Sequence, residues 1–281
     1  MSRKKSKLGV FGRYVFLVIV GIVTLLPLVW LFFATFKTNT EIFGSNSLLP
    51  SHFSFDSYIK GWQGSGQFTY GRFLLNSFLL TVPTVLFTIV SAISVGYGFA
   101  RFNFRGKKVL KILLISTLML PNAILIVPRY ILFTELGWNN TYLTFYIPAL
   151  LGCYPFFTYQ MMQYFRGLPK ELDEAARIDG CNSLSLLTKI LLPLCKPAVC
   201  AVGLLQFIWI WNDYFNVNIY INSVSKYPVA LGLRMSLDSQ AAIDWSPILA
   251  MSLTAIIPCV VLFFAGQRYF VEGIASTGIK D

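Results

Sequence analysis

Six apolar stretches, each long enough to cross a bilayer as a helix, constrain this chain more than any other feature. They cover residues 14–36, 73–100, 109–133, 142–162, 198–221 and 247–267. A hydrocarbon core about 30 Å thick takes roughly 20 helical residues. A helix in lipid satisfies its own backbone polar groups, whereas a spanning barrel needs alternating segments of about ten residues. No such alternation is present. Composition agrees, with 56% of residues hydrophobic and 12% charged, against about 25% charged in soluble domains. The expected fold class is an all-α polytopic membrane protein with six transmembrane helices and membrane lipid as its surroundings.

A net charge of +11 in a soluble protein would suggest nucleic acid. Here topology accounts for it, and no nucleic-acid partner is expected. With the N-terminus in the cytoplasm, seventeen of the 23 Lys and Arg residues lie in cytoplasmic segments, as the positive-inside rule requires. Both termini are therefore expected in the cytoplasm, with the chain held in a membrane. The expected organisation is a cytoplasmic N-terminus over 1–13, a six-helix domain over 14–267 with a long cytoplasmic loop at 166–196, and a cytoplasmic tail over 268–281. Arg3, Lys4, Lys5 and Lys7 precede an apolar stretch too long for a signal peptide, so that stretch reads as a retained anchor.

Pro27, Pro83, Pro121, Pro128, Pro148 and Pro258 fall within the apolar stretches and favour kinks. Trp30, Trp138, Trp209, Trp211 and Trp245 fall toward the outer half, the position of an interfacial belt. The five cysteines form no CxxC pair, and His52 is the single histidine. The cysteines read as small buried hydrophobes. No catalytic constellation, metal site or cofactor is expected. A GxxxxGK[ST] phosphate loop is absent, so the chain is not expected to bind ATP itself.

The segment between the fourth and fifth stretches reads QYFRGLPKELDEAARIDGCNSLSLLTKILLPLCKP. Pro169 suits a first helical turn, and Glu171, Asp173 and Glu174 complement its dipole. Asp173 and Arg177 are spaced to pair across one turn. Gly180 ends the helix, and Asn182 or Ser183 caps the next. A slim, acid-started helix of this kind is shaped to dock into a groove on another protein. The alternative, a helix lying on the membrane surface, calls for a Lys- and Arg-rich polar face, and this one begins acidic.

Glu174-Ala175-Ala176, Gly180 after three residues, Ile190 after nine more, and then Leu192-Pro193 resemble the EAA loop of ABC importer permeases, with every element at its spacing. Asn76-Ser77, the run 119–129 (MLPNAILIVPR), Leu136-Gly137 and Trp211-Asn212-Asp213 are similar to the carbohydrate branch of that family. The tail 267–280 resembles that of the six-span maltose-type subunit. The resemblance implies the importer-permease (MetI-like) fold, with the EAA helix as a cytoplasmic coupling helix. It makes Glu171, Glu174, Ala175, Ala176 and Gly180 the contact with an ATPase. It further implies a second homologous permease subunit, an ATPase dimer and an extracytoplasmic sugar-binding protein. In the maltose-type subunit the tail reaches into the ATPase dimer, which the segment 273–279 would do here. The implied function is ATP-coupled import of a sugar or oligosaccharide, with a glycerol-phosphate or polyol-type cargo as the alternative.

An ionisable residue inside a span is a functional candidate by default. Asp213 is the clearest, flanked by Trp209, Trp211, Asn212, Tyr214 and Asn216. Counted along a continuous helix from Pro197 it lies about 24 Å in, in the outer half. Aromatic faces with amide and carboxylate groups suit a sugar path. The alternative is an interfacial anchor whose Asp faces outer water. Asn76, Ser77 and Asn122 are lesser path candidates that also fit as interhelical hydrogen-bond glue.

Overall fold

A computed structural model describes residues 7–64, 67–238 and 243–278. Among these, all regular structure is helical. In chain order the helices are α1 (Lys7–Ala34), α2 (Asn39–Gly44), α3 (Asp56–Gln63), α4 (Tyr70–Arg101), α5 (Lys107–Met119), α6 (Asn122–Glu135), α7 (Leu143–Leu150) and α8 (Pro155–Gly167). They continue as α9 (Glu171–Ile178), α10 (Ser183–Ser185), α11 (Leu192–Leu194), α12 (Lys196–Trp211), α13 (Tyr214–Tyr220), α14 (Val229–Asp238) and α15 (Trp245–Gly278). A π-helical stretch, Leu186–Leu191, joins α10 to α11. The tail segment 273–279 ends outside the described residues, and Ser65 and Gly66 also lie outside them.

The helices establish the all-α polytopic class, but among the described residues length and composition give three unaided spans, or up to five if each bent pair counts as one, against the six expected. Three are long and apolar enough to cross a membrane unaided: Phe11–Ala34, Tyr70–Arg101 and Trp245–Arg268. The expected third span is a pair, α5 and α6, bent by 108°. The fourth is α7 and α8, interrupted at residues 151–154, and the fifth is α12 and α13, interrupted at Asn212 and Asp213. A 79° bend also separates Ser183–Leu194 from α12. Of the six prolines expected to kink spans, Pro121 alone sits at one of these interruptions, as the N-cap of α6.

The chain divides into two compact units, residues 1–71 with 233–256 and residues 72–232 with 257–281. In the first, α1 buries none of its apolar window, as expected of a helix that is hydrophobic all round and meets lipid. A capping box opens α2: Thr38 Oγ1 accepts from Glu41 N, and Glu41 Oε2 accepts from Thr38 N at 3.0 Å. The Asn39 side chain donates to Ile243 O and accepts from Trp245 N, at 3.1 and 2.9 Å. Trp245 packs against Phe43, and the Tyr70 hydroxyl donates to Met251 O at 2.8 Å.

The second unit takes all but the first two residues of α4, which runs 32 residues without a break. At Gly96 it approaches α8 so closely that a Cβ would lie 2.9 Å from Met161 Cβ and from Met162 N. Small residues permit such approaches in lipid, where no hydrophobic effect drives helices together. A polar seam runs along α4. Thr88 Oγ1 accepts from Gln206 Nε2 at 3.1 Å, and Ser91 Oγ donates to Ala149 O at 2.6 Å. Interhelical bonds of this kind contribute about 0.6 kcal/mol each. Asn76 donates to Ser225 O and Tyr227 O, and Ser77 accepts from Val229 N. Of the five cysteines, Cys195 alone is buried and Cys153 is exposed, so the expectation of buried cysteines is corrected for the others.

Candidate functional site

Two features of the second unit carry chemistry. The first is α9. Its three first-turn acids follow Lys170, whose carbonyl accepts from the backbone of Asp173 and Glu174. Pro169 lies just before this N-cap rather than inside the first turn. At the other end Cys181 N donates to Ala176 O and Gly180 N to Arg177 O. These are the two bonds of a Schellman cap, which needs a left-handed residue. Gly180 supplies it with φ +76°. Asn182 Oδ1 then accepts from Ser185 N at 2.8 Å and caps α10.

The helix has two faces. Glu171, Glu174, Ala175 and Gly180 are exposed, and Ile178 is 87% exposed. Ala176 is buried among Tyr97, Phe165, Leu186 and Leu187. That corrects its assignment as a contact residue: Ala176 packs α9 onto its own chain. Ile178 is not among the sequence candidates, although a bare isoleucine four residues after Glu174 on an acidic helix is legible in the sequence. Asp173 does not find Arg177 as its ion-pair partner. Its Oδ2 lies 3.1 Å from Arg101 Nε, at the end of α4.

The second feature is a cavity of about 880 Å³. It opens where the helices break. Leu120 and Asn122 come from the α5–α6 bend, Gly152, Cys153 and Tyr154 from the α7–α8 break, and Asn212 and Asp213 from the α12–α13 break. Irregular backbone at membrane depth persists where it lines a cavity or is buried in protein, and broken helices mark transporter sites. Here the backbone freed by three separate interruptions faces one space.

The cavity's polar groups are linked. Asp213 is the N-cap of α13, not a residue within one long helix. Its carboxylate accepts from Asn216 N at 3.0 Å and from Asn216 Nδ2 at 3.0 and 2.9 Å. Asn122 Nδ2 lies 3.4 Å from Asn216 Oδ1, and Arg129 Nη1 donates to Asn122 Oδ1 at 3.3 Å. Asn212 lines the cavity and caps its own helix through Ile208 O. Trp209, 48% exposed, lines the cavity against Phe156 and Phe157, with ring centroids 5.3 and 5.0 Å away.

Three sequence candidates lie elsewhere. Trp211 is 5% exposed and stacked on Phe207, in the packing behind the wall rather than in a belt or a path. Tyr214 is not among the cavity-lining residues. Asn76 is buried and holds the carbonyls of Ser225 and Tyr227, the glue role. Arg129, Tyr154, Gln206 and Tyr220 line the cavity and are not among the sequence candidates, whereas Asn216, which also lines it, is read there as part of the patch around Asp213. Arg129 and Asn216 carried a signal, being polar residues in apolar runs.

Residues 92–276 match the family described as Binding-protein-dependent transport system inner membrane component. The chain is 32% identical over 278 residues to the probable ABC transporter permease protein YurM of Bacillus subtilis, covering 99% of this chain and 91% of that one. It is 31% identical over 283 residues to the arabinooligosaccharides transport system permease protein AraQ of Halalkalibacterium halodurans, covering 100% of both. A chain in the crystal structure of a bacterial ABC transporter involved in import of the acidic polysaccharide alginate superposes with a TM-score of 0.81. That match is at 22% identity over 96% of this chain and 100% of the other, and it shows a shared fold.

Proposed function

The chain belongs to the family of binding-protein-dependent transport system inner membrane components, and on that premise we propose that it is the permease subunit through which an ATP-driven importer passes a sugar or oligosaccharide into the cytoplasm. Relatives named for arabinooligosaccharide, trehalose/maltose and galactooligosaccharide transport support the cargo class. One observation carries the reading: three broken spans open on a single cavity bearing a carboxylate, amides and an indole. Asp213, Asn212, Asn216 and Asn122 offer groups for sugar hydroxyls, and Trp209 offers a face for the C–H surface. A phosphate-bearing cargo would call for more positive lining. Among the described residues Arg129 is the one guanidinium lining the cavity, while Arg72 donates to Ser225 O.

The chain works with a second homologous permease, an ATPase dimer and an external sugar-binding protein, with both termini in the cytoplasm. The exposed face of α9 (Glu171, Glu174, Ala175, Ile178, Gly180) docks on the ATPase, which carries out all nucleotide chemistry. Closure of the ATPases moves α9 and reorients the spans around the cavity.

The test is ATP-dependent uptake by the reconstituted complex from a panel of labelled mono- and oligosaccharides with glycerol phosphate alongside. One or more sugars should accumulate, and Asp213→Ala should reduce that uptake at least tenfold with the complex intact. Accumulation of glycerol phosphate alone, or sugar uptake indifferent to Asp213→Ala, would reject the reading.

A further inference from the structure

The bonds between α4 and the α9 segment have no assigned role. Arg101 is the last residue of α4. Its Nε lies 3.1 Å from Asp173 Oδ2, with side-chain exposures of 6% and 14%. Its Nη2 donates to Leu168 O at 3.2 Å and Pro169 O at 3.4 Å, the carbonyls just ahead of α9. One turn back, the Tyr97 hydroxyl donates to Ser183 O at 3.1 Å, just beyond α9. The end of α4 thus holds the α9 segment before, within and after the helix.

We propose that Arg101 is a positioning residue that locks α9 to α4, so that displacement of α9 reaches the cavity walls along α4. The covalent route from α9 to the cavity is soft by comparison. It passes through the π-helical stretch Leu186–Leu191 and the 79° bend before α12. α4 is unbroken over 32 residues, about 48 Å at 1.5 Å per residue. Its middle is bonded to two cavity walls. Ser91 holds Ala149 O beside the lining residue Pro148, and Thr88 holds Gln206, itself a lining residue.

The residue types suit the task. A planar guanidinium sets Nη2 on two carbonyls while its Nε stands 3.1 Å from a carboxylate oxygen as an ion pair, without the alignment of a hydrogen bond, an arrangement that an ammonium on a flexible stem does not reproduce. Near-burial strengthens the pair relative to a solvated one. Asp173 sits in the first turn of α9, where the dipole favours its charge. Because Asp173 and Ala176 face inward, Glu174 and Ile178 stay free for a partner. The lock and the docking face occupy opposite sides of one helix.

This inference rests on α9 being the ATPase contact, and the experiment separates the two. The complete transporter is reconstituted with Arg101→Gln, Arg101→Lys, Tyr97→Phe or the exchanged pair Arg101→Asp/Asp173→Arg. ATPase retention, ATP hydrolysis and sugar taken up per ATP are measured. Arg101→Gln should keep the ATPase bound and hydrolysis within about twofold, while uptake per ATP falls at least tenfold. Arg101→Lys and Tyr97→Phe should fall between Arg101→Gln and the parent, and the exchanged pair should recover at least part of the loss. An unchanged uptake-per-ATP ratio in Arg101→Gln overturns the proposal. So does loss of the ATPase from that variant without recovery in the exchanged pair, since Arg101 would then be a structural support alone. Failure of the underlying reading looks different: Glu174→Lys would retain the ATPase and transport normally.

Discussion

Asn216 donates three hydrogen bonds to the carboxylate of Asp213, one from its backbone and two from its side-chain amide. One asparagine, a turn into α13, both completes the helix cap and orients the carboxylate at the cavity wall. Hydrogen bonds to a charged acceptor contribute about 1.5–3 kcal/mol each. Asn216→Leu is therefore expected to raise the KM for cargo about tenfold, the equivalent of about 1.4 kcal/mol. Asp213→Asn keeps the cap geometry and should lower uptake less than Asp213→Ala. Concentration-dependent uptake by the assembled transporter checks both.

The turn after α9 depends on Gly180. A Cβ there meets nothing within 4 Å, so the obstacle is the backbone, at φ +76°. Gly180→Ala should destabilise the turn by about 1–2 kcal/mol and weaken ATPase retention severalfold. Gly180→Pro forbids that φ and removes the N–H that bonds Arg177 O, so it should abolish transport while the protein remains in the membrane. Pull-down of the ATPase, with membrane content measured in parallel, distinguishes them.

The two faces of α9 predict opposite phenotypes for neighbouring substitutions. Ile178→Asp changes an exposed side chain and should leave the melting temperature of the permease unchanged while reducing ATPase retention at least tenfold, about 1.4 kcal/mol. Ala176→Leu adds volume to a filled core and should lower the melting temperature, since overpacking costs about 1–3 kcal/mol. Equal effects of the two on melting would contradict the assignment of faces.

Glu41 gives the segment after α1 a pH dependence with a defined sign. Hydrogen bonds from Ser51 and Thr38 lower its pKa from 4.5 to about 2. A depressed carboxylate pKa contributes stability that is fully present above the unfolded value and is lost as pH falls through the folded one. Hydrogen exchange of the Ser51 amide should stay protected from neutral pH to above 4.5 and lose protection as pH falls toward about 2. Glu41→Gln should remove that dependence.

The membrane class was legible because lipid demands long apolar runs, the caps of the α9 turn because Gly and Asn suit them, and the EAA-type loop only through its resemblance to a family motif. Gly180 and Asn182 act as read. The breaks were less legible. Pro121 marks one, but those at residues 151–154 and at Asn212–Asp213 fall inside runs that hydropathy reads as continuous. Pro83 and Pro258 sit within unbroken helices. Asp213 was placed by counting along a helix that ends two residues earlier, and Trp211 was grouped with its neighbours although its helical position turns it inward. Asp173 was paired within its own helix because a partner 72 positions away is invisible to local spacing.

The most direct test of the central claim, that cargo passes through the space at the three helix breaks, uses Cys153, an exposed thiol on the cavity wall. In a variant with the other four cysteines replaced by alanine, alkylation of Cys153 is followed in the assembled, ATP-supplied transporter with and without saturating transported sugar. Sugar is predicted to slow alkylation at least fivefold, and a sugar that is not transported to leave it unchanged. An alkylation rate unaffected by transported sugar would contradict the account.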